Sequence, residues 1–190
     1  MAKHYIEDEK FERKQFNTEP LPALEYENCT FHYCDFTDCD LSSYKFMDCE
    51  FHGCNMSLVK CVKTALRNVK FNQCKMLGWR FDLCNDFGFS VRFEGCQLNH
   101  SSFHQLKIKK TVFIDTQLRE VDFSSCDLSG SIFESCDLSD ALFENTVLIQ
   151  ADFRTAIHYH IDPEMNQIKK ARFSLSGVEG LLRKYQIEIV

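Results

Sequence analysis

Apolar residues recur at every fifth position through most of this chain. The first run of such residues is Tyr26, Phe31, Phe36, Leu41, Phe46, Phe51, Met56, Cys61, Leu66, Phe71, Met76 and Phe81. The second run has a shifted phase and consists of Phe93, Leu98, Phe103, Ile108, Phe113, Leu118, Phe123, Leu128, Phe133, Leu138, Phe143, Leu148 and Phe153. A small or β-branched residue, most often Cys, stands two positions before most of them. The repeating unit is therefore small–x–large–x–x, as in the CDLSG segment at 126–130.

A period of five matches neither an α-helix nor a flat β-strand. Two inward side chains spaced two apart indicate a short extended segment, and the three outward residues leave room for a turn. Four units would close a square coil of twenty residues, and stacked coils would bury a continuous column that no single unit could bury alone. The spacing predicts an all-β, four-sided parallel β-helix over residues 25–155.

The composition agrees with such a column. The chain has 190 residues with 18 Phe and 11 Cys, and ten of the cysteines fall at the small position when Cys84 is included. A free thiol behaves as a small hydrophobe that suits full burial, so we interpret the cysteines as packing residues.

No CxxC pair occurs, which argues against zinc ligation. The first sixteen residues contain no apolar segment typical of a secretory signal, and we expect a cytoplasmic protein with reduced thiols.

Twenty-five pentads of this kind resemble the pentapeptide-repeat family. That resemblance implies a right-handed quadrilateral β-helix. Three further features are similar to the quinolone-resistance (Qnr-type) branch and the related DNA-mimicking gyrase protectors: the CKMLG segment at 74–78, the single break in the repeat, and the tail GLLRKYQIEIV. They imply a non-enzymatic homodimer that binds DNA gyrase or topoisomerase IV and modulates it or protects it from inhibitors such as fluoroquinolones.

The repeat is broken once, at 82–92. Twelve residues separate Phe81 from Phe93 where two pentads need ten, so two residues are extra. Asp86 then falls at a large inward position, where an unpaired carboxylate would be costly. We predict a bulge in which Phe87 and Phe89 repack around Gly88. A structural register shift is the favoured interpretation, and a recognition loop is the alternative.

Both ends depart from the repeat. Residues 1–24 are predicted to form an N-terminal cap, and 156–190 a C-terminal cap that also joins two protomers; a purely intramolecular cap is the alternative. Within the tail, Ser176 and Glu179 have the spacing of a capping box that opens a short helix, and 187–189 has the alternation of a strand. The expected dimerisation residues are Phe173, Val178, Leu181, Leu182, Tyr185, Ile187 and Ile189.

Charge is segregated along the chain although its net value is only −6. Residues 25–55 hold seven acids and one base, 56–110 hold ten bases and three acids, and 111–155 hold nine acids and two bases. The nine acids of 111–155 are candidates for contact with a basic DNA-binding surface of a partner: Asp115, Glu120, Asp122, Asp127, Glu134, Asp137, Asp140, Glu144 and Asp152. The alternative is that they only keep the rod in solution. The acidic net charge argues against direct binding of nucleic acid.

Some outward positions are apolar. Val112 and Ile132 are twenty residues apart, so they should stack on one face with Ile114 beside them, and we predict a partner-contact strip there. Leu142, Val147 and Ile149 cluster in the last predicted coil, where the tail could cover them.

Catalytic motifs are sparse. No P-loop, nucleophile elbow or GxGxxG occurs, the His pairs at 100/104 and 158/160 are weak metal-ligand patterns, and no apolar run is long enough to cross a membrane. We therefore expect no catalytic residue, metal or cofactor. A topoisomerase-binding DNA mimic is the leading hypothesis, a scaffold for another protein partner is the second, and a metal- or thiol-dependent enzyme is a remote third.

Overall fold

The computed structural model describes residues 5–188, which contain thirteen short strands and one short α-helix. The strands are β1 (Tyr5–Glu7), β2 (Lys10–Glu12), β3 (Glu25–Glu27), β4 (Thr30–His32), β5 (Lys45–Met47), β6 (Glu50–His52), β7 (Ala65–Arg67), β8 (Val69–Asn72), β9 (Val91–Glu94), β10 (Val112–Ile114), β11 (Ile132–Glu134), β12 (Asp152–Phe153) and β13 (Arg172–Phe173). The helix α1 is Glu179–Leu182, and 3-10 turns cover Phe81–Leu83 and Arg183–Tyr185.

All strand pairs are parallel, and each strand pairs with the equivalent strand one coil later. Face 1 of the coil carries the ladder β1-β3-β5-β7, and face 2 carries the nine-stranded ladder from β2 to β13. Partners are twenty residues apart, as in Phe31↔Phe51. Single bridges such as Asp35↔Asn55 and Asp40↔Lys60 form faces 3 and 4. The chain is thus a right-handed, four-sided parallel β-helix of about eight turns, which confirms the predicted fold.

Face 2 stacks nine Phe rings into one column. Ring centroids of successive Phe residues lie 4.6 to 5.4 Å apart from Phe11 to Phe173. The rings are close to parallel because equivalent positions share one backbone conformation. Stacked aromatic pairs contribute about 0.5–1.5 kcal/mol each beyond the area they bury, so this column is a main source of cohesion between coils.

The small inward residues also have a polar role. Thiols and hydroxyls at this position donate to a backbone carbonyl of the preceding coil, as Cys74 Sγ does to Phe51 O at 3.4 Å and Ser131 Oγ does to Ile108 O at 3.2 Å. All eleven cysteines are buried and unpaired, as predicted. These bonds favour Cys, Ser and Thr at the small position, although residues that cannot donate also occupy it, as at Val121, Ala141 and Ala151.

The corners of the coil use left-handed backbone. The residue two positions after a central large residue has a positive φ, for example 52° at Tyr33 and 56° at Glu120. Non-glycine residues adopt this conformation at a cost of about 1–2 kcal/mol. The cost is offset because the corner amide donates across to the next coil, as Tyr33 N does to His52 O at 2.8 Å.

The register break is a bulge on face 1, defined here as residues 85–90. Ala65 bridges Asn85, twenty residues later, whereas Phe71 pairs with Phe93, twenty-two residues later, so the two extra residues lie between these points. The prediction that Phe87 repacks inward is wrong: Phe87 is 74% exposed, and only Phe89 packs against the core. Asp86 points into solvent, so the bulge removes a carboxylate from the inward position.

The solenoid extends beyond the predicted repeat at both ends. Within the segment expected to be an N-terminal cap, β1 and β2 pair in register with β3 and β4, so residues 5–24 form a full coil. At the other end β13 pairs with β12, which carries the coil to Phe173 instead of ending it at 155. The inward column therefore continues through residues such as Tyr159 and Ile161, which are buried.

The C-terminal cap, residues 174–188, is shorter and less regular than predicted. The capping box is wrong: no side chain caps α1, and Ser174 Oγ rather than Ser176 accepts a hydrogen bond, from Gly177 N at 3.0 Å. No strand is present at 186–188, and Ile189 lies outside the described residues. None of the helices in the described part of the chain is long and apolar enough to cross a bilayer.

Candidate interaction surfaces

Four surface carboxylates form a compact group that we call the acidic edge: Glu120, Asp122, Asp140 and Glu144. Glu120 and Asp140 are equivalent corner residues of successive coils between faces 3 and 4, as the bond from Glu120 N to Ser139 O shows. Asp122 and Glu144 lie next to them on face 4, where Asp122 bridges Leu142 of the following coil. Asp122 is half-buried and the other three are exposed. The coil geometry thus gathers acids that are up to 24 positions apart in sequence.

Two histidines contact the acidic edge. His100 Nδ1 lies 3.2 Å from Glu120, with both side chains 60% exposed, and His104 Nδ1 lies 3.8 Å from Asp122. Ion pairs at such exposed positions contribute about 0–1 kcal/mol. Glu120, Asp140 and Glu144 are thus exposed to solvent, and Asp140 and Glu144 share a cleft with Arg183 and Lys184 of the C-terminal cap.

Three of the predicted acids form ion pairs with other residues of the chain. Asp137 pairs with Arg119 at 2.6 Å and with His158 at 3.0 Å, and Asp127 pairs with Lys109 at 3.1 Å. Asp152 is 8% exposed and pairs with both Arg154 and Arg172. Asp152 is therefore unsuited to partner contact.

The pKa values of these acids follow from the same contacts. Burial acts to raise the pKa of Asp137, but hydrogen bonds from Ser139 and the pairs with His158 and Arg119 outweigh it, so the pKa lies well below the usual range. For Asp152, the hydrogen bonds from Arg154 lower the pKa against the opposing effect of burial. These carboxylates stabilise the rod in their charged form.

The remaining predicted acids lie on another side. Glu134 is on the outer surface of face 2, and Asp115 occupies the corner between faces 2 and 3, where its φ is 47°. Both are exposed. The nine acids of 111–155 are therefore distributed over all four faces, and only the acidic edge brings four together.

The apolar strip on face 2, comprising Val112, Ile114 and Ile132, is confirmed as a stack. Val112 and Ile132 are direct partners in the β10–β11 ladder, and Ile114 is in line with Glu134. All three side chains are half-buried. The strip lies between Arg92 on one side and Asp152 on the other, because both are in the same ladder.

The C-terminal cap docks on the last coil through Tyr159. Gly177 and Gly180 approach Tyr159 so closely that a Cβ at Gly180 would overlap the Tyr159 carbonyl oxygen. Ile161 N donates to Gly180 O at 3.0 Å, and Leu181 packs against the core. Sequence reasoning identified the helix but missed this anchor, since nothing in the repeat pattern marks Tyr159 as its receptor.

The predicted dimerisation residues divide into two groups. Phe173 stacks on Phe153 at 5.4 Å and Leu181 faces the core, so these two side chains serve the solenoid itself. Tyr185 and Ile187 are 52% and 56% exposed. Val178 and Leu182 are half-buried, and Leu182 lines a cleft of about 1240 Å³ between the cap and the last coil.

Leu175 is a surface residue that the repeat pattern did not identify. Its side chain is 92% exposed at the start of the C-terminal cap, near the two exposed dimerisation candidates in sequence. Of the apolar residues at 142–149, Leu142 is 51% exposed and beside the cap, so the tail covers this cluster only in part. Within 5–188 no three His, Cys, Asp or Glu side chains are placed to hold a metal ion.

Comparison with known families agrees with this geometry. The family described as "Pentapeptide repeat region" matches residues 44–123 and 87–155, which together exceed half of the chain, and "Pentapeptide repeats (8 copies)" matches 27–60. The chain belongs to the pentapeptide-repeat family.

Solved pentapeptide-repeat structures share the fold over the whole chain. A trypsin-treated point variant of QnrB1, a plasmid-mediated fluoroquinolone resistance protein, has a TM-score of 0.63 at 17% identity, with 100% of both chains covered. Full-length QnrB1 has a TM-score of 0.55 at 15% identity, with 96% of this chain and 100% of QnrB1 covered. No match was found among curated protein sequences.

Proposed function

We propose that this pentapeptide-repeat protein is a non-enzymatic binding protein that acts on a type II topoisomerase, DNA gyrase or topoisomerase IV. The acidic edge would occupy a basic DNA-binding surface of the enzyme in place of phosphates. Binding there would modulate the topoisomerase or protect it from inhibitors such as fluoroquinolones. The observation that carries the proposal is the grouping of Glu120, Asp122, Asp140 and Glu144 on one surface edge of a rigid rod.

Electrostatics and shape support this proposal. Coils stacked at about 4.8 Å hold the backbone positions of the carboxylates in fixed rows. The carboxylates can therefore meet a basic surface without the entropy cost of ordering a flexible backbone segment. Complementary charge also accelerates the encounter of two proteins. The similarity in fold to a fluoroquinolone resistance protein is consistent with such a role.

The protein is further proposed to be a homodimer joined through the C-terminal cap. Leu175, Tyr185 and Ile187 leave apolar surface exposed at that end of the rod. Burying such surface between two copies is favourable by about 25 cal/mol per Å². Tail-to-tail pairing would place two acidic edges on one longer rod. The proposed compartment is the cytoplasm, and no cofactor and no direct contact with nucleic acid is proposed.

A scaffold that binds another protein is the second candidate function. The apolar strip favours it, because Val112, Ile114 and Ile132 form half-buried apolar surface on the flat ladder of face 2. On that hypothesis, changing both Val112 and Ile132 to Asp abolishes partner binding while the fold remains intact. If that variant still binds its partner, the strip is not the binding surface.

A gyrase supercoiling assay with and without a fluoroquinolone tests the leading proposal. We expect the wild type to inhibit or protect at micromolar concentration. A variant with Glu120→Gln, Asp122→Asn, Asp140→Asn and Glu144→Gln should lose the effect. The matched control neutralises four exposed acids of the first coil, with Glu7→Gln, Glu9→Gln, Glu12→Gln and Glu19→Gln, and should retain it. A wild type that neither inhibits gyrase nor protects it would overturn the proposal. An equal loss of the effect in both variants would also overturn it.

A further inference from the structure

The bulge interrupts the ladder of face 1 and leaves an irregular surface there. Ala65 bridges Asn85 and Lys107 bridges Asp127, but within the described residues no bridge joins Asn85 to Lys107. On the two adjoining faces the same coils pair directly, through Arg80↔Ser102 and Arg92↔Val112. Residues 107–110 are therefore the next turn of face 1 after the bulge.

Phe87 projects from the bulge in a fixed position. Its side chain is 74% exposed, more than any other aromatic side chain of the described chain. The Arg67 guanidinium carbon lies 5.2 Å from the ring centroid, and Arg67 Nε donates to Phe87 O at 3.4 Å. Asn85 Oδ1 accepts the Phe87 amide at 2.9 Å, and Gly88 follows with a φ of 71° that favours glycine. The aromatic ring is thus held outward by contacts from two coils.

Basic residues flank the bulge in the coils before and after it on face 1. Arg67 lies in the preceding coil, and Lys107, Lys109 and Lys110 are exposed in the following one. At the adjoining corner Lys63 donates its amide to Leu83 O at 2.8 Å, and Leu83 is 42% exposed. Lys109 pairs with Asp127 at 3.1 Å. The surface has an apolar centre with an excess of positive charge at its rim.

We propose that Phe87 and the surrounding bases form a docking site for an acidic protein segment that carries an apolar side chain. Phe87 and Leu83 would contact the apolar side chain, while Arg67, Lys107 and Lys110 would pair with carboxylates beside it. Interfaces commonly combine a central aromatic anchor with a charged rim in this way. The site has the opposite charge to the acidic edge and lies on another face, so it serves a second partner or a second region of the same partner.

Peptide is favoured over nucleic acid by the composition of the site. Binding of single strands relies on several open aromatic faces in a continuous basic groove. Here one ring is present, Arg67 lies over it, and the exposed carboxylate of Asp86 is adjacent in sequence. A phosphate backbone would meet that negative charge, whereas a peptide can place a neutral residue opposite it.

Fluorescence anisotropy with three labelled probes tests the proposal on the full chain. The first probe is a short peptide of Glu and Asp residues that includes Leu, the second has Gln and Asn in place of the acids, and the third is oligothymidylate. We expect binding of the acidic peptide that weakens with salt, and no saturable binding of the other two. Phe87→Ala should weaken binding by about tenfold, the effect of losing a single anchor of about 1.4 kcal/mol.

Matched controls separate this site from general charge effects. Lys107→Glu on face 1 should weaken binding of the acidic peptide by about fivefold or more at low salt, whereas Lys75→Glu makes the same charge change on face 3 and should have little effect. Tyr33→Ala removes another exposed aromatic ring, 58% exposed on a corner remote from the bulge, and should bind like the wild type. No binding of the acidic peptide, tighter binding of oligothymidylate, or equal losses in the face 1 variants and their controls would overturn the proposal.

Discussion

At the scale of single residues, two properties recur at the small inward position. The side chain fits beside a Phe ring, and in many coils it also donates to a carbonyl of the preceding coil, as Cys74 and Ser131 do. Trp79 breaks the size rule at this position and is fully buried, with its indole N–H donating to Met56 O. It is also the only Trp of the sequence, so its fluorescence reports on packing in the middle of the rod.

Substitutions at Cys74 separate size from hydrogen bonding. Cys74→Ser keeps both the volume class and the donor, and we expect it to change the free energy of unfolding by about 1 kcal/mol or less. Cys74→Leu places a larger side chain at a position that is 1% exposed, and we expect this overpacking to lower the free energy of unfolding by about 1–3 kcal/mol. Urea unfolding followed by Trp79 fluorescence gives both values. A larger loss for Ser than for Leu would contradict this account of the column.

Asp137 provides a test of pH dependence. Its folded-state pKa lies below the usual value of about 3.9, so its carboxylate stabilises the fold above that pH and loses this effect as the pH falls through the folded pKa. Asp137→Asn should therefore destabilise by about 1–3 kcal/mol at pH 7, and the difference from wild type should shrink between about pH 4 and pH 2. The measurement is the urea midpoint at each pH. If the difference in stability between Asp137→Asn and the wild type stays constant with pH, the charged carboxylate of Asp137 is not its source.

At the scale of elements, the sequence was sufficient for the coils and insufficient for the ends. The five-residue period predicted the column, its parallel stacking and the Val112–Ile132 pair, because inward packing imposes the same residue types in every coil. It did not predict that Phe87 turns outward, since one inserted pair of residues can be accommodated in several ways. The first coil was missed because its small inward positions are occupied by residues unlike those of the repeat.

The candidate surfaces were predicted only in part for a related reason. Outward residues carry no packing constraint, so the sequence identifies the acids but not which of them pair. Asp152 looked equivalent to Asp122 in the pattern, yet Arg154 and Arg172 enclose it and leave 8% exposed. The grouping of Glu120 with Asp140 could be found from the twenty-residue coil length alone.

Docking of the C-terminal cap depends on the absence of a side chain at Gly180. Gly180→Val would place atoms against the Tyr159 backbone and should release the cap while leaving the coils folded. We expect trypsin to cleave after Arg183 or Lys184 about tenfold faster or more, since cleavage follows the population of the opened state. Ser176→Ala, an exposed change in the same segment, is the control. Unchanged cleavage in Gly180→Val would show that the cap is held elsewhere.

At the scale of the whole molecule, one acidic group and one basic group lie on different sides of the rod. The acidic edge lies between faces 3 and 4, whereas the bulge and its bases lie on face 1. The net charge of −6 hides this arrangement. A four-sided solenoid can thus offer different surfaces to different partners without any change in its core.

The proposed dimer depends on the exposed apolar side chains of the C-terminal cap. Leu175→Asp together with Ile187→Asp places charge on the apolar surface of the C-terminal cap and should convert the proposed dimer to a monomer. Leu58→Asp, at a corner that is 62% exposed, makes a similar change far from the cap and should remain dimeric. Light scattering coupled to gel filtration measures both. A wild type that is monomeric at all concentrations would contradict the proposed tail-to-tail pairing.

Competition between the protein and DNA for gyrase tests whether the acidic edge replaces phosphates. Gyrase is saturated with a fluorescent DNA duplex, and the anisotropy of the duplex is followed as the protein is added. We expect the wild type to displace the duplex. The variant neutralised at Glu120, Asp122, Asp140 and Glu144 should do so at least about tenfold less well, as expected when complementary charges are removed from an interface. Binding of the protein to gyrase without displacement of DNA, or equal displacement by the neutralised variant, would contradict the proposed role of the acidic edge.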